Sequence, residues 1–352
     1  MFLGAGASRA AGFPLTEQLL QHIWPRPGEN LDSWETVKSR QAWKSTLSRA
    51  VKVIYPDGGA DGFRPPVSEF FTLLEVIDRV HAERERLPLD SRQVLIDLRR
   101  EIAAGLSRLA ADTRRSVGTT PHYRWIKAKN RPQVVITSNW DTLAEIAALK
   151  AGLSVYLRWP HNRQGTRRRL ESQELVVLKL HGSIDWGLGS DPLVDAALKG
   201  WKYERLDAAI LPAAPRRRTS RIGGEDVLRY RSVDAPVAAD RSRVGFSEPL
   251  MATMSAAKDG FIQENVSAIW HDAYWALSRA KALAVVGYSF PREDLEISTL
   301  LRLTSRRAGK DRLDPDLTFT VCNPSPETHA RARVLLGSSL TPSYLAAEAW
   351  TP

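Results

Sequence analysis

A single cysteine, Cys322, occurs in 352 residues. That excludes an intrachain disulfide and any zinc site built from paired CxxC motifs. No apolar run approaches the roughly 18 to 20 residues that span a bilayer, so no membrane partner is expected. The opening residues show no charged segment leading into an apolar stretch and a small-residue cleavage site, which points to a cytoplasmic protein. Internal repeats, long low-complexity tracts, helix-turn-helix patterns, zinc fingers and RNA-recognition signatures are lacking too. The last three matter because the net charge is +10. Arginines cluster at Arg167–Arg169, at Arg216–Arg218 with Arg221, and at Arg114-Arg115. Such charge can attract nucleic acid, or it can be an arginine-biased solvated surface.

What is present is ordinary for a folded chain: 43% hydrophobic and 26% charged residues, enough for a large core. Short apolar runs mark strands at Met1–Leu3, Gln133–Thr137, Ser154–Leu157, Leu175–Leu180, Leu283–Val286 and Leu317–Val321. They lack polar alternation, as strands buried on both faces do. Met1–Leu3 gives only three residues before Gly4, so the strand is either shortened or begins upstream. Helices are expected from Thr16 to Gln21, over Ser68–Arg84, after a cap at Asp90, over Asn265–Lys281 and over Asp294–Arg307. In Ser68–Arg84 the apolar stripe is Phe71, Leu74, Ile77 and Val80. After Asp90 it is Val94, Leu98, Ile102, Leu106 and Leu109. The alternation predicts an α/β fold: a Rossmann-like, doubly wound, mainly parallel sheet. One domain over 1–352 is expected to carry a large helical insertion at about 17–130 and a loop-rich one at about 187–262.

Chemistry-bearing residues gather where these strands end. Gly4-Ala5-Gly6-Ala7-Ser8 follows the first strand, with Gly12-Phe13-Pro14 soon after. Small residues allow main-chain N–H groups to approach an anion, though a tight turn uses them as well. The dehydrogenase fingerprint GxGxxG is not met, because position 9 is arginine. The second strand runs into Ser138-Asn139-Trp140-Asp141. One polar side chain there suffices to cap the next helix; two directly after a buried strand exceed that need. Trp140, between them, is expected to pack inward without a catalytic role. A third strand ends in Lys179-Leu180-His181-Gly182-Ser183-Ile184-Asp185, placing a histidine on the ligand-binding side of an open sheet. Gly287-Tyr288-Ser289-Phe290 and Cys322-Asn323-Pro324 end two more strands, and Gly287, Ser289 and Asn323 are candidates for ribose hydroxyls. Asp294 reads as a helix cap.

In this order, GAGAS…GFP, TSNWD, KLHGSID, GYSF…D and CNP resemble the sirtuin-like NAD-binding family. They look most like its bacterial stand-alone branch of NAD hydrolases in antiphage defence. The resemblance runs from Gly4 to about Pro324, and the inserts match nothing specific. It implies that Asn139 and Asp141 contact NAD near the nicotinamide-bearing ribose and that His181 is the base. It also implies that Gly4, Ala5, Gly6, Ala7 and Ser8 hold the pyrophosphate, while Ser289 and Asn323 bind ribose. Protein deacylases of this family carry four zinc-binding cysteines, and Phe-Arg where this chain has Leu15-Thr16. Deacylation and zinc are therefore not expected. Cleavage of NAD as substrate is, as an effector triggered through self-assembly, a bound ligand or a partner defence protein. Two other readings remain: an NAD- or ADP-ribose-binding regulatory module without turnover, and a nucleic-acid-binding or nuclease subunit.

Overall fold

The computed structural model describes residues 1–23, 37–56, 63–81, 89–158, 173–189, 203–205, 208–211, 221–222, 225–230, 246–253, 255, 266–304, 317–337 and 341–352. The arginine clusters at 167–169 and 216–218 lie outside them.

Strand β1 (Phe2–Leu3) precedes helices α1 (Leu19–Ile23), α2 (Val37–Ile54), α3 (Val67–His81), α4 (Ser91–Ser116) and α5 (Pro121–Lys127). Next come β2 (Val134–Thr137), α6 (Leu143–Lys150), β3 (Ser154–Arg158) and β4 (Glu174–Lys179). Strands β5 (Gly182–Gly189), β6 (Tyr203–Arg205), β7 (Ala208–Leu211), β8 (Arg221–Ile222), β9 (Glu225–Tyr230) and β10 (Phe246–Met251) follow. The remaining elements are α7 (Ser267–Ser278), β11 (Ala282–Val286), α8 (Leu295–Thr304), β12 (Thr318–Cys322), α9 (Pro326–Leu336) and β13 (Thr341–Ser343).

The main sheet runs β13-β12-β11-β1-β2-β4-β3-β7, parallel throughout except for β7 at its edge. This is the expected α/β, doubly wound architecture. The chain first builds outward from β1 through β2, then resumes on the other side of β1 at β11. A crevice for ligands forms where the direction of winding reverses, here between β1 and β11.

Burial on both faces explains the apolar strands. All six residues of β4 are buried. Leu175 and Val177 join the core beneath the helical segment, with Phe70, Leu74 and Leu98. Val176 and Leu178 join the opposite core, with Ile269 and Leu283. Successive residues thus feed opposite cores, as the pleat requires.

Helix α4 starts where its cap dictates: Asp90 Oδ1 accepts from the Gln93 N–H at 2.9 Å. Val80, expected on the buried stripe of α3, is 65% exposed at that helix's last turn. Strand β1 has two residues yet sits centrally, Phe2 lying opposite Val285 on one side and Ile136 on the other. The Met1 nitrogen donates to the Val134 carbonyl at 2.8 Å.

Within the stretch expected to be loop-rich with short elements, most of the described residues form strands. β10, β5, β9 and β6 make a second, antiparallel sheet, with β8 paired to β9. The chain passes from one sheet to the other at Leu180-His181. Gly182 makes that passage with φ of 78°, and a Cβ there would lie 2.0 Å from the Leu250 carbonyl oxygen. Only glycine meets both conditions.

Candidate active site

A cleft of about 720 Å³ opens along the carboxyl rim of the parallel sheet. Every strand end singled out in the sequence reaches it: Gly6 after β1, Asn139 and Asp141 after β2, His181 after β4, Gly287 and Ser289 after β11, and Asn323 after β12. Ala5 and Ser8 line it as well.

Gly4 and Ala7 are not among the lining residues. The Gly4 N–H donates to Val286 O at 3.0 Å, and its carbonyl faces Asn139. The methyl of Ala7 is fully buried in the core under the helices. Much of the glycine loop's main chain is already engaged. Gly6 N–H donates to Gly287 O at 2.8 Å, Ala7 N–H to Gly4 O at 2.9 Å and Ser8 N–H to Ala5 O at 3.1 Å. The small residues serve contact between two loops. A Cβ on Gly287, whose φ is 65°, would lie 2.1 Å from the Ala7 nitrogen. Arg9, exposed on the cleft wall, is the cation of this loop.

The floor of the cleft is a bonded set. Ser8 Oγ donates to Asp141 Oδ2 at 2.7 Å and accepts from Asn139 Nδ2 at 3.1 Å. Asn139 Nδ2 also donates to Gly4 O at 2.9 Å, which fixes which end of the amide is nitrogen. Asn139 Oδ1 accepts no hydrogen bond among the described residues, so an acceptor is left for a ligand. Asp141 Oδ1 accepts from the Leu143 N–H at 3.0 Å. The carboxylate therefore caps α6 and joins the site at once, one oxygen for each task. Thr137 Oγ1 donates to Leu3 O at 3.2 Å and accepts from the Asn139 N–H at 3.0 Å, seating the turn on β1.

His181 is 5% exposed and lines the same cleft. Its carbonyl accepts from the Ala252 N–H at 2.9 Å, and its ring lies 6.4 Å from that of Trp270. On the far side, Tyr288 donates to Asp294 Oδ2 at 3.0 Å, so Asp294 braces the loop bearing Ser289. Burial and the Asp294 charge together push the Tyr288 phenol well above its ordinary pKa. Phe290, next in that loop, takes a left-handed φ of 52°. Asn323 Nδ2 donates to Tyr288 O at 3.3 Å, and its Oδ1 accepts from the Ser325 N–H at 2.9 Å.

Sequence reasoning missed several participants. Leu19, Pro66, Val67 and Leu106 bring an apolar wall from the helical segment. Nothing local in the sequence marks them as facing a cleft. Trp140 packs inward as expected, at 4% exposure, but its carbonyl works: it accepts from Ile184 N–H at 3.0 Å and Ser183 Oγ at 3.3 Å. His122 is fully buried on α5. Burial lowers its pKa to about 4, opposed by the Asp141 charge.

No family model and no curated protein matches the chain. Among solved structures it is similar to a Sir2 homologue, a mutant in complex with 2'-O-acetyl ADP ribose. Identity is 12%, coverage 99% of this chain and 86% of that chain, and the TM-score 0.37. It is also similar to a Sir2 homologue mutant in complex with ADP ribose, at 12% identity, the same coverages and a TM-score of 0.34. At this distance the likeness carries no chemistry, and function has to be argued from the cleft.

Proposed function

We propose that this protein is an NAD glycohydrolase, releasing nicotinamide and ADP-ribose. The observation that supports it is the meeting of Asn139, Asp141 and His181 with Gly6, Ser289 and Asn323 in one cleft at the reversal of winding. Its size falls in the range of roughly 300 to 1,000 Å³ typical of small-molecule sites.

Breaking the bond between nicotinamide and ribose builds positive charge at the anomeric carbon. Asp141, mostly shielded from water and held by Ser8 and Leu143, is a fixed negative charge that offsets it. Asn139, with both amide hydrogens engaged, offers Oδ1 to a ribose hydroxyl or to the attacking water. His181, in its neutral form, takes a proton from a ribose hydroxyl or from that water. The C–N electron pair leaves with nicotinamide, the water oxygen bonds to the anomeric carbon, and one proton is released. General-base help of this kind is typically about 100- to 10,000-fold. Ser289, Asn323 and the Gly287 loop form the far end of the cleft, suited to the adenosine half. Arg9 is the cation nearest the glycine loop for the pyrophosphate.

In the same reading, a single domain over 1–352 acts as an effector of antiphage defence by NAD depletion. It works as a homo-oligomer or with a partner defence protein, without zinc. Calorimetry with ADP-ribose, run beside chromatographic detection of nicotinamide with and without the products of neighbouring genes, tests it. Saturable binding with no nicotinamide under any condition would favour the regulatory binding module instead.

A further inference from the structure

Lys179 lies at the end of β4, and its ammonium is fully buried beneath the Asn139–Asp141 turn. Strand parity puts it there. Leu175 and Val177 face the core under the helices, where α6 contributes Leu143 and Ile146, so Lys179 faces α6 as well. Its register partner on β2 is Thr137, the residue that seats Asn139. Lys179 Nζ meets Glu145 Oε1 of α6 at 3.0 Å, and both side chains are at most 1% exposed. It also donates to the Asp141 carbonyl and, at 3.5 Å, to the Trp140 carbonyl.

Burying two charges costs desolvation energy that their attraction often only balances, and a packed apolar pair is commonly as stable or more so. Stability is therefore a poor account of this ion pair. The carbonyls it gathers give a better one. They belong to the two peptide units flanking the Asp141 Cα, so holding both fixes the backbone at Asp141 and the direction in which its carboxylate leaves the chain.

We propose that Lys179, neutralised by Glu145, is a positioning residue that aims Asp141 into the cleft. This rests on the function proposed above and names a further residue for that reaction. An apolar side chain at position 179 can fill the space but cannot hold the Asp141 carbonyl, whereas the Trp140 carbonyl keeps Ile184 N–H and Ser183 Oγ as donors.

The test is the double variant Lys179→Met/Glu145→Leu beside Lys179→Met and wild type, read by melting temperature, amide exchange and nicotinamide-release kinetics. The double variant is expected to melt within a few degrees of wild type. Exchange across residues 138–146 should rise at least tenfold while β2 and β4 stay protected. Its kcat should fall at least thirtyfold, with KM changed less than threefold. Unchanged exchange across 138–146 would overturn the inference, and so would a loosened turn with kcat within threefold of wild type. If the double variant does not fold, Lys179→Met/Glu145→Gln, which leaves no unpaired buried charge, is read by the same criteria. Wild-type protein releasing no nicotinamide sinks the proposed reaction alone. Exchange in the turn then decides the role of Lys179 by itself.

Discussion

Ser8 Oγ sits 2.7 Å from Asp141 Oδ2 and 3.1 Å from Asn139 Nδ2, joining residues more than 130 positions apart into one unit. The hydroxyl donates to the carboxylate and accepts from the amide, so both catalytic candidates are oriented by one atom. The loop after the first strand is thereby part of the floor of the cleft as well as its wall.

The variant Ser8→Ala leaves the buried Asp141 Oδ2 and one N–H of the half-buried Asn139 without this partner. Losing a partner at such a site costs about 1 to 3 kcal/mol. A lower melting temperature is expected, together with a fall in kcat larger than any change in KM, because the cleft keeps its shape while the carboxylate loses its aim. Steady-state kinetics and thermal melts check this; unchanged kcat in a folded variant would contradict it.

The Gly182→Ala variant tests the passage between the sheets. A methyl there meets the Leu250 carbonyl oxygen at 2.0 Å in a left-handed backbone. The cost should exceed about 1 kcal/mol, the largest gain that the same substitution brings where the native backbone tolerates it. Because His181 is adjacent, activity should fall more steeply than stability. A melting curve superimposable on wild type would refute the steric reading.

Stability should also depend on pH through His122. Its folded pKa, about 4, lies below its ordinary 6.5. Between those values the unfolded chain binds a proton that the folded one refuses. The neutral buried ring is at no disadvantage above 6.5, and stability is lost as pH falls from 6.5 towards 4. The slope is about 1.4 kcal/mol per pH unit for one proton. Replacing the imidazole in His122→Phe should remove that slope from urea unfolding measured across this window. A variant retaining the full slope would assign it to other groups.

The sequence carried the parallel sheet well because strands buried on both faces must be apolar runs, and six such runs became β1, β2, β3, β4, β11 and β12. The convergence of Gly6, Asn139, His181, Ser289 and Asn323 was legible for a related reason: strand direction puts all their carboxyl ends on one rim. The second sheet was not legible. Gly187 and Gly189 interrupt β5, Pro249 interrupts β10, and such residues read as turns rather than strands. Edge strand β13 was hidden by Pro342 in the same way. Lys179 was passed over because a charge at the end of an apolar run reads as the strand surfacing. Its partner Glu145 lies on a different element, and pairing across elements has no local signature.

Nicotinamide release from NAD is the most direct test of the central claim, followed by chromatography for wild type, Asn139→Ala and His181→Ala side by side. The account predicts equal amounts of nicotinamide and ADP-ribose from wild type, alone or with an activating partner. Each folded variant should lose at least about 100-fold of that rate. Turnover in either variant matching wild type, or a wild-type protein that never consumes NAD, would contradict it.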